Sequence, residues 1–519
     1  MVSTQTVNLS ALKAASKPHS SPHRVLLAGV VLLAFYSVPL FSTVLPPLFD
    51  YPNHLARFAV LAAGGSEFYE VRWAPLPNLA GDIIVPLLAR AMPLEIAGKL
   101  FLVMIFALIL GGTASLNRVV GGAWRLWPLL AAAFLYNLTL LWGSVNFLFG
   151  LGVALCGAAL WLALENRRIW LRISASVLVA LLCFFSHIAA LGLYGLIVFG
   201  MEAQPTLAEW RRGRWTVLVL RAALFSAQFL IPAAIVAFWW HPSGEGQIVY
   251  PGSGPKMYLL FGVLYNYSPV LVFACYGLLL ALLGGLAWRR RLNISPRLAP
   301  GILLILLAYL LLPTEIASAK GIDHRLVVGF FLLVVAAAVP HFPNRKTAIA
   351  IGSITCVLLF ARLAVVEAAW LEGDRTYRAD LSAIDALPAG TKLAVAYPKS
   401  ALQVLVHPEV HLPTLAVTRR QAFVPTLFAF PDQQPIALKP PYEKLAAAAD
   451  PYELWAGLMM GDDAARRRTL AALAGYDAIV FVNHEPFQLP REDCLRPLFR
   501  RPTFQIYTLV HGGDCPEQR

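Results

Sequence analysis

Residues 25–58 read VLLAGVVLLAFYSVPLFSTVLPPLFDYPNHLARF, a long apolar run followed directly by a polar segment. The apolar part, from about Val25 to Leu45, is long enough to cross a bilayer as a helix, which takes about 20 residues. No convincing small-residue cleavage site follows it, so we expect a retained signal anchor rather than a cleaved signal peptide. The next segment then places four polar side chains at one membrane surface: Asp50, Asn53, His54 and Arg57.

The composition as a whole is that of a polytopic membrane protein. Of the 519 residues, 58% are hydrophobic and 14% are charged, whereas soluble domains carry roughly 25% charged residues. The net charge is +13, but the basic residues fall in short clusters between apolar segments, as membrane topology requires. We therefore expect membrane lipids, and not nucleic acid, as partners of this chain.

Eleven apolar segments are candidates for membrane spans, which predicts a polytopic α-helical fold. The pairs within 126–164 and 169–203 each fit either two short helices or one helix with a re-entrant piece. The predicted spans are 25–45, 98–116, 126–142, 145–164, 169–186, 188–203, 216–239, 268–288, 298–313, 325–340 and 347–370.

The distribution of Lys and Arg predicts the orientation. If the N-terminal tail 1–24 is cytoplasmic, the predicted inner loops hold the basic clusters, among them residues 289–291. This bias favours a cytoplasmic N-terminus, and an odd number of spans then places the C-terminal residues outside. The short outer connections hold only three basic side chains: Lys256, Lys320 and Arg325.

The chain changes character after residue 371. YDAIVFVN (476–483) and TFQIYTLV (503–510) predict strands, and helical stretches lie near 441–473. We expect three parts: a cytoplasmic tail 1–24, a multi-span domain 25–371 with a first outer loop 46–97, and a soluble extracytoplasmic α/β domain 372–519. An Ala-, Leu- and Arg-rich composition is typical of bacteria with GC-rich DNA, so the predicted location is the inner (plasma) membrane.

Two of the six cysteines, Cys494 and Cys515, lie in the predicted C-terminal domain, and the others lie in apolar segments. A disulfide between these two suits an oxidising periplasm. Two unpaired thiols are the alternative interpretation.

Polar side chains near the predicted span ends all fall on the outer face. Ionisable groups at membrane depth are costly, so they usually line an enclosed cavity that has a function. The set comprises Asp50, His54, Arg57, Asn146, Ser186, His187, His241, Glu245, Glu315, Lys320, Asp323, His324 and Arg325.

Each of these residues also has an interpretation without function. Asp50 could favour the positive end of the helix that follows it. His54 and Arg57 could anchor that helix at the headgroups, and His187 could be a buried histidine with its hydrogen bonds satisfied. Arg325 is different, because it opens an apolar segment in a chain that avoids outer arginines, and we expect it to bind an anion.

Two further groups are predicted to have no role. Glu67 and Glu70 are three residues apart and are expected on the solvated face of a helix. His407 and His411, in HPEVHLP, have the four-residue spacing of a metal-binding helix. Prolines flank and interrupt this segment, so we expect a loop with incidental histidines.

This layout resembles the type C glycosyltransferase superfamily, which includes the protein O-mannosyltransferases and the lipid A aminoarabinose transferases. The shared features are one early span, a long outer loop that begins with an acidic residue, many further spans and a soluble extracytoplasmic tail. The likeness covers the whole chain in architecture but only LFDYPNHLAR (48–57) and GIDHRL (321–326) in motif.

The resemblance implies an enzyme that transfers a sugar from a polyprenyl-phosphate-linked donor to a glycan, lipid or protein acceptor. In the family, the acidic residue of the first outer loop is the proposed general base, and the matching position is Asp50. Candidate substrate- or phosphate-binding residues are Arg325, His324, Arg57, His54, His187, Asn146, Glu315 and Lys320.

We expect no cofactor. Several family members carry two adjacent acidic residues, whereas Asp50 is followed by Tyr51, and one carboxylate beside basic groups is a poor site for a hard divalent cation. No His or Cys cluster has zinc spacing. A divalent metal is therefore possible but not favoured.

Two other functions fit the composition. The chain could be a transporter or flippase of lipid-linked glycans, although no internal repeat of the kind found in transporters is evident. It could also be a non-catalytic membrane assembly protein on the same scaffold.

Overall fold

The structure is a computed structural model that describes residues 21–240, 248–316, 319–403, 408–490, 492–512 and 515. Most of the predicted tail 1–24 and the residues His241, Glu245 and His407 lie outside this part of the chain.

Helices form nearly all of the described chain up to residue 385. They are α1 (Pro22–Ser42), α2 (Tyr51–Ala63), α3 (Ala80–Leu88), α4 (Leu94–Gly121), α5 (Leu138–Leu141), α6 (Val145–Ala163), α7 (Ile169–Ser186), α8 (Ile188–Arg211), α9 (Trp215–Ala227), α10 (Leu230–Phe238), α11 (Ser253–Gly262), α12 (Pro269–Trp288), α13 (Ala299–Leu311), α14 (His324–Ala337) and α15 (Arg345–Asp385).

Within the described residues, seven helices are long and apolar enough to cross a membrane: α1, α4, α6, α7, α8, α12 and α15. Helices α9 and α10 meet at a 52° bend and could form an eighth span. The remaining three predicted segments coincide with shorter apolar helices at Trp127–Leu141, α13 and α14. The polytopic α-helical class is therefore confirmed, whereas the count of eleven complete spans is not.

The predicted span 126–142 differs most from the structure. It forms a 3-10 helix at Trp127–Phe134 and then the single turn α5. Asn137 separates the two pieces, because its Nδ2 donates to the carbonyl of Phe134 (2.7 Å) and its Oδ1 accepts from the backbone N–H of Leu140 (3.0 Å). A side chain that caps a helix start in this way ends one helical segment and begins another.

The C-terminal part contains a four-stranded mixed sheet. The strands of the described residues are β1 (Tyr69–Val71), β2 (Ile248–Val249), β3 (Leu292–Ile294), β4 (Glu315–Ile316), β5 (Ala319–Lys320), β6 (Ala338–Pro340), β7 (Leu393–Ala396), β8 (Ile436–Leu438), β9 (Ala478–Val482), β10 (Leu495–Arg501) and β11 (Phe504–Leu509). The strand order in the sheet is β10-β11-β9-β7, in which β7 and β9 are parallel and the other pairs are antiparallel.

Short helices surround this sheet: α16 (Leu415–Arg420), α17 (Tyr442–Ala447), α18 (Pro451–Met459) and α19 (Asp463–Ala472), with 3-10 turns at Lys399–Gln403 and Leu412–Thr414. Strands β9 and β11 lie where YDAIVFVN and TFQIYTLV predict them. Every residue of β9 is buried, which accounts for its unbroken apolar sequence. A disulfide joins Cys494 to Cys515, whose Cα atoms are 5.5 Å apart.

The first outer loop (46–97) and the C-terminal domain (372–519) are joined by strand pairing. Strands β1 and β8 are antiparallel, with Glu70 opposite Ala437. The Tyr69 hydroxyl donates to the carbonyl of Val424 (2.8 Å) and accepts from its N–H (2.9 Å). The two regions therefore lie on the same side of the apolar helices. Because Glu70 lies in a strand, the helix face expected for Glu67 and Glu70 was wrong.

Helix α15 connects the apolar helices to the C-terminal domain. Its 41 residues span about 61 Å at about 1.5 Å per residue, roughly twice the thickness of the hydrocarbon layer. The Asp374 carboxylate accepts a hydrogen bond from the backbone N–H of Val44, just after α1 ends. The predicted boundary at 371/372 falls inside this helix, close to that level.

Candidate functional site

Asp50 occupies the N-cap position of α2, yet its side chain makes no capping hydrogen bond. The side chain keeps 29% of its surface exposed, so it is open to a ligand. Burial by the surrounding protein raises the pKa of Asp50 to about 7, against the opposing charges of Arg325 and Arg57. A carboxyl group with this pKa is ionised in part at neutral pH and can accept a proton there.

Gly143 lets the backbone of Asp50 approach the turn after α5. The N–H groups of Phe49 and Asp50 donate to the carbonyls of Leu141 (2.8 Å) and Trp142 (3.3 Å). Gly143 has φ +84°, and a Cβ there would lie 2.7 Å from the Asp50 nitrogen and 2.8 Å from its Cβ. Only glycine fits this position without displacing the carboxylate.

Arg57 is held by a buried ion pair with Asp82. Its Nε donates to Oδ1 at 2.6 Å and its Nη2 to Oδ2 at 3.3 Å, and both side chains are fully buried. Arg57 Nη2 also donates to His54 Nδ1 at 3.0 Å. Its Nη1 is buried without a hydrogen-bond partner among the described residues, so Arg57 is held beside the site by this pair, and its direct contact with a phosphate stays a prediction.

His54 is held in one tautomer. Its Nδ1 accepts from Arg57, so the proton of the neutral ring is on Nε2, which donates to the carbonyl of Gly143 at 3.0 Å. Burial and then the Arg57 charge hold the pKa of His54 well below its usual value. Both ring nitrogens are therefore occupied, and His54 supports the turn beside Asp50.

His411, from the C-terminal domain, faces Asp50. Its Nε2 lies 3.5 Å from Asp50 Oδ1, and its side chain is 7% exposed. Its Nδ1 accepts from Asn53 Nδ2 at 2.9 Å. Burial lowers the pKa of His411 to about 4, so the ring is neutral beside the carboxylate at neutral pH.

Arg325 lies in the first turn of α14. The charge of its guanidinium interacts electrostatically with Asp50 and with His187. Arg325 Nη1 donates to the carbonyl of Lys320 at 2.9 Å, whereas its Nε has no hydrogen-bond partner among the described residues. An incompletely paired guanidinium at a helix N-terminus suits an anionic ligand.

A hairpin positions the start of α14. Glu315 in β4 pairs with Lys320 in β5, and within the described chain neither side chain makes a hydrogen bond or ion pair with Asp50. His324 folds back over Gly321, where a Cβ would meet its ring at 2.2 Å. The Asp323 carboxylate accepts from the N–H of His324 (2.9 Å) and caps the helix.

Asn146 and His187 act on the backbone. Asn146 Oδ1 accepts from the N–H of Gly81 (2.7 Å), and its Nδ2 donates to the carbonyl of Asn78 (2.7 Å), which fixes the start of α3 and so of Asp82. His187 Nδ1 accepts from the N–H of Ala189 (3.1 Å) at the break between α7 and α8. Both side chains hold backbone groups in place, and their expected contact with substrate stays a prediction.

The described residues contain no group of three or more His, Cys, Asp or Glu side chains arranged to hold a metal ion. The structure brings Asp50 close to Arg325, Arg57 and His54, which the sequence predicts at one outer site. The sequence prediction missed His411, because nothing in the sequence indicates that the C-terminal domain folds against α2. Residues 408–411 form no helix, as the prolines of HPEVHLP predict, whereas the location of His411 beside Asp50 was not predicted.

No protein-family model and no curated protein matches the sequence. Among solved structures, the crystal structure of ArnT from Cupriavidus metallidurans bound to undecaprenyl phosphate superposes with a TM-score of 0.53 and 13% identity. The match covers 95% of this chain and 99% of that one. The apo state of ArnT gives a TM-score of 0.49 at 12% identity, with the same coverage. The chain therefore has the fold of ArnT, the lipid A aminoarabinose transferase, which is the type C glycosyltransferase fold that the resemblance predicted.

Proposed function

We propose that this chain transfers a sugar from a polyprenyl-phosphate-linked donor to an acceptor hydroxyl or amine at the outer face of the membrane. The ArnT structure of the same fold was crystallised with undecaprenyl phosphate, which supports a lipid-phosphate carrier. The observation that carries the proposal is an accessible carboxylate, Asp50, within range of electrostatic interaction with the incompletely paired guanidinium of Arg325.

In the proposed reaction, Asp50 accepts the proton of the acceptor as its oxygen or nitrogen attacks the anomeric carbon. The bond between that carbon and the phosphate oxygen breaks, and its electron pair leaves with the phosphate. Arg325 and the first turn of α14 stabilise the negative charge that develops there. Direct attack inverts the anomeric centre, and a positioned base of this kind contributes about 10² to 10⁴ in rate.

Three neighbouring side chains support this chemistry without touching the substrate. Arg57 lowers the energy of the ionised Asp50 through its charge, and Asp82 holds Arg57 in place. His54 ties α2 to the turn at Gly143. We assign Arg57 and His54 these supporting roles in place of the expected phosphate contacts, because Arg57 is fully buried in its pair with Asp82 and both ring nitrogens of His54 are hydrogen-bonded.

We further propose a cytoplasmic tail 1–24 and an extracytoplasmic C-terminal domain in a bacterial inner membrane. The pairing of β1 with β8 supports a common side for the first outer loop and the C-terminal domain. The basic clusters of the predicted inner loops support the side assignment.

The test is transfer of a labelled sugar from an undecaprenyl-phosphate-linked donor in membranes that carry the protein. Asp50→Asn keeps the size of the side chain and removes the base, so we expect turnover to fall at least about 100-fold. Glu70→Gln is the matched control, since its carboxylate lies in the same outer loop but pairs with Arg72, and it should remain active. Near-normal turnover of Asp50→Asn would remove the base from the mechanism and favour a transporter or assembly protein.

A further inference from the structure

The contact between His411 and Asp50 joins two distant parts of the chain. Asp50 precedes α2 in the first outer loop, whereas His411 ends the loop before the 3-10 turn Leu412–Thr414 in the C-terminal domain. The distance of 3.5 Å between His411 Nε2 and Asp50 Oδ1 is a polar contact, somewhat longer than the roughly 2.7–3.2 Å of an N–H···O hydrogen bond. What it does depends on which ring nitrogen carries the proton.

Asn53 determines that tautomer. The backbone N–H of Phe428 donates to Asn53 Oδ1 at 2.7 Å, which fixes the orientation of the carboxamide. Its Nδ2 must therefore be the group that faces His411 Nδ1, at 2.9 Å, and an amide nitrogen can only donate. The neutral ring then carries its proton on Nε2, which points at the Asp50 carboxylate.

The ring has little freedom to turn away. Phe49 and Phe428 pack edge-on against it, with centroid distances of 5.0 and 5.2 Å. The Thr414 hydroxyl donates to the backbone carbonyl of His411 at 2.7 Å and holds the turn that presents the ring. Aromatic packing on two sides and a fixed backbone keep the N–H aimed at Asp50.

The charged and titratable groups around this contact come from three elements. Arg57 and His54 belong to α2, Arg325 belongs to α14, and His411 itself comes from the C-terminal domain. The two arginines favour the ionised carboxylate by charge, and His54 is neutral. His411 is the group among them that can orient one carboxylate oxygen by a direct hydrogen bond.

We propose that His411 is a positioning residue for Asp50, and that the C-terminal domain thereby completes the active site. The neutral Nε2–H donates to one carboxylate oxygen and leaves the other free to take the proton of the acceptor. This inference rests on the proposed function. It assigns the C-terminal domain a direct role in the chemistry instead of a role in docking alone.

A donor to the ionised carboxylate lowers the pKa of that carboxyl group, so removal of the donor should raise it. The readout is the pH dependence of Asp50 labelling by a hydrophobic carbodiimide, which reacts with the protonated carboxyl group. The full-length protein in lipid nanodiscs is used, and the labelled peptide is quantified by mass spectrometry. We expect half-maximal labelling of the wild type near pH 7 and an upward shift of about 0.5–1 pH unit in His411→Phe, as for one weak hydrogen bond to a charge.

Two variants separate the N–H from the packing. His411→Gln places an amide N–H near the position of Nε2, and its midpoint should stay close to that of the wild type. Asn53→Asp keeps the bond to Phe428 with one oxygen and requires a proton on His411 Nδ1 with the other, so the neutral ring turns the lone pair of Nε2 toward Asp50. The midpoint should then rise, as in His411→Phe, although the aromatic packing is unchanged. His484→Phe, in the same domain beside Glu485, is the control and should not shift it.

An unshifted midpoint in a folded His411→Phe protein would overturn the inference, as would equal shifts in His411→Phe and His411→Gln. Labelling does not depend on turnover, so the two proposals fail separately. If Asp50→Asn abolishes transfer while the His411 variants leave labelling unchanged, only the role of His411 is lost. If Asp50→Asn transfers normally, the proposed function fails whatever the labelling shows.

Discussion

At the scale of single residues, the reactivity of Asp50 results from effects that oppose each other. Burial disfavours the charged carboxylate, while the charges of Arg325 and Arg57 favour it. Burial is the larger effect, so the pKa settles at about 7 instead of near 4. This value suits a general base, which must be ionised to act but must also hold a proton once it has accepted one.

Gly143 provides a residue-scale test of how closely Asp50 must be placed. Gly143→Ala puts a methyl group 2.7 Å from the Asp50 nitrogen, whereas Gly122→Ala, at φ +73°, meets no atom within 4 Å. Both substitutions place a Cβ on a residue with left-handed backbone angles, which destabilises the folded protein by about 1 kcal/mol. We expect only Gly143→Ala to displace the carboxylate and to reduce sugar transfer, by at least about tenfold, with a larger drop in thermal stability. Equal activity in the two variants would show that the turn tolerates the shift.

Some residues of the candidate site could be predicted from the sequence, and others could not. Asp50 was found from its place after the first span, and Arg325 from its exception to the charge bias. The burial of Arg57 against Asp82 could not be foreseen, because the two are 25 residues apart on different helices. The position of His411 could not be predicted for the same reason, since its contact with Asp50 depends on how a separate domain docks.

At the scale of elements, hydropathy predicts where the apolar segments lie but not whether each forms one continuous helix. Helices α1, α4, α6, α7, α8, α12 and α15 start and end within several residues of the predicted spans, apart from the C-terminal ends of α8 and α15. Apolar content alone cannot distinguish one helix from two. The break at Asn137 arises from local hydrogen bonding, which a window average of hydropathy does not register. Such an average does not register the 52° bend between α9 and α10 either. Helix α15 continues past residue 370 because its outer turns contact the C-terminal domain.

Helix α15 offers the element-scale prediction. Glu372 is exposed and lies between the buried residues Trp370 and Gly373, in the part of α15 that continues past the predicted span 347–370. Glu372→Pro removes a helical hydrogen bond and clashes with the preceding turn, at a cost of about 3 kcal/mol or more. We expect faster release of the C-terminal domain by limited trypsin digestion in detergent, together with loss of transfer activity.

The matched control is Glu372→Ala, which removes the same carboxylate and favours the helix. It should resist digestion and keep its activity. If the proline variant behaved like the alanine variant, α15 would not be the element that holds the C-terminal domain over Asp50, and the pairing of β1 with β8 would suffice.

At the scale of the whole molecule, the candidate site is assembled from three regions that the sequence keeps far apart. The first outer loop supplies Asp50, α14 supplies Arg325, and the C-terminal domain supplies His411. Strands β1 and β8 join the first and third of these. A site built in this way requires the C-terminal domain to be on the same side of the membrane as the first outer loop, and it requires that side to be the one where the lipid-linked donor is presented.

That requirement gives the last prediction, which concerns topology. Alkaline phosphatase is active only outside the cytosol, so a fusion after Arg519 should be active, and a truncated fusion after Arg290 should be inactive. The reason is that residues 289–291 form one of the basic clusters that we propose to lie on the cytoplasmic side. Green fluorescent protein at the same two positions is the complementary control and should fluoresce only after Arg290. The reverse pattern would place Asp50 and the C-terminal domain in the cytosol, and sugar transfer at the outer face would then have no site on this protein.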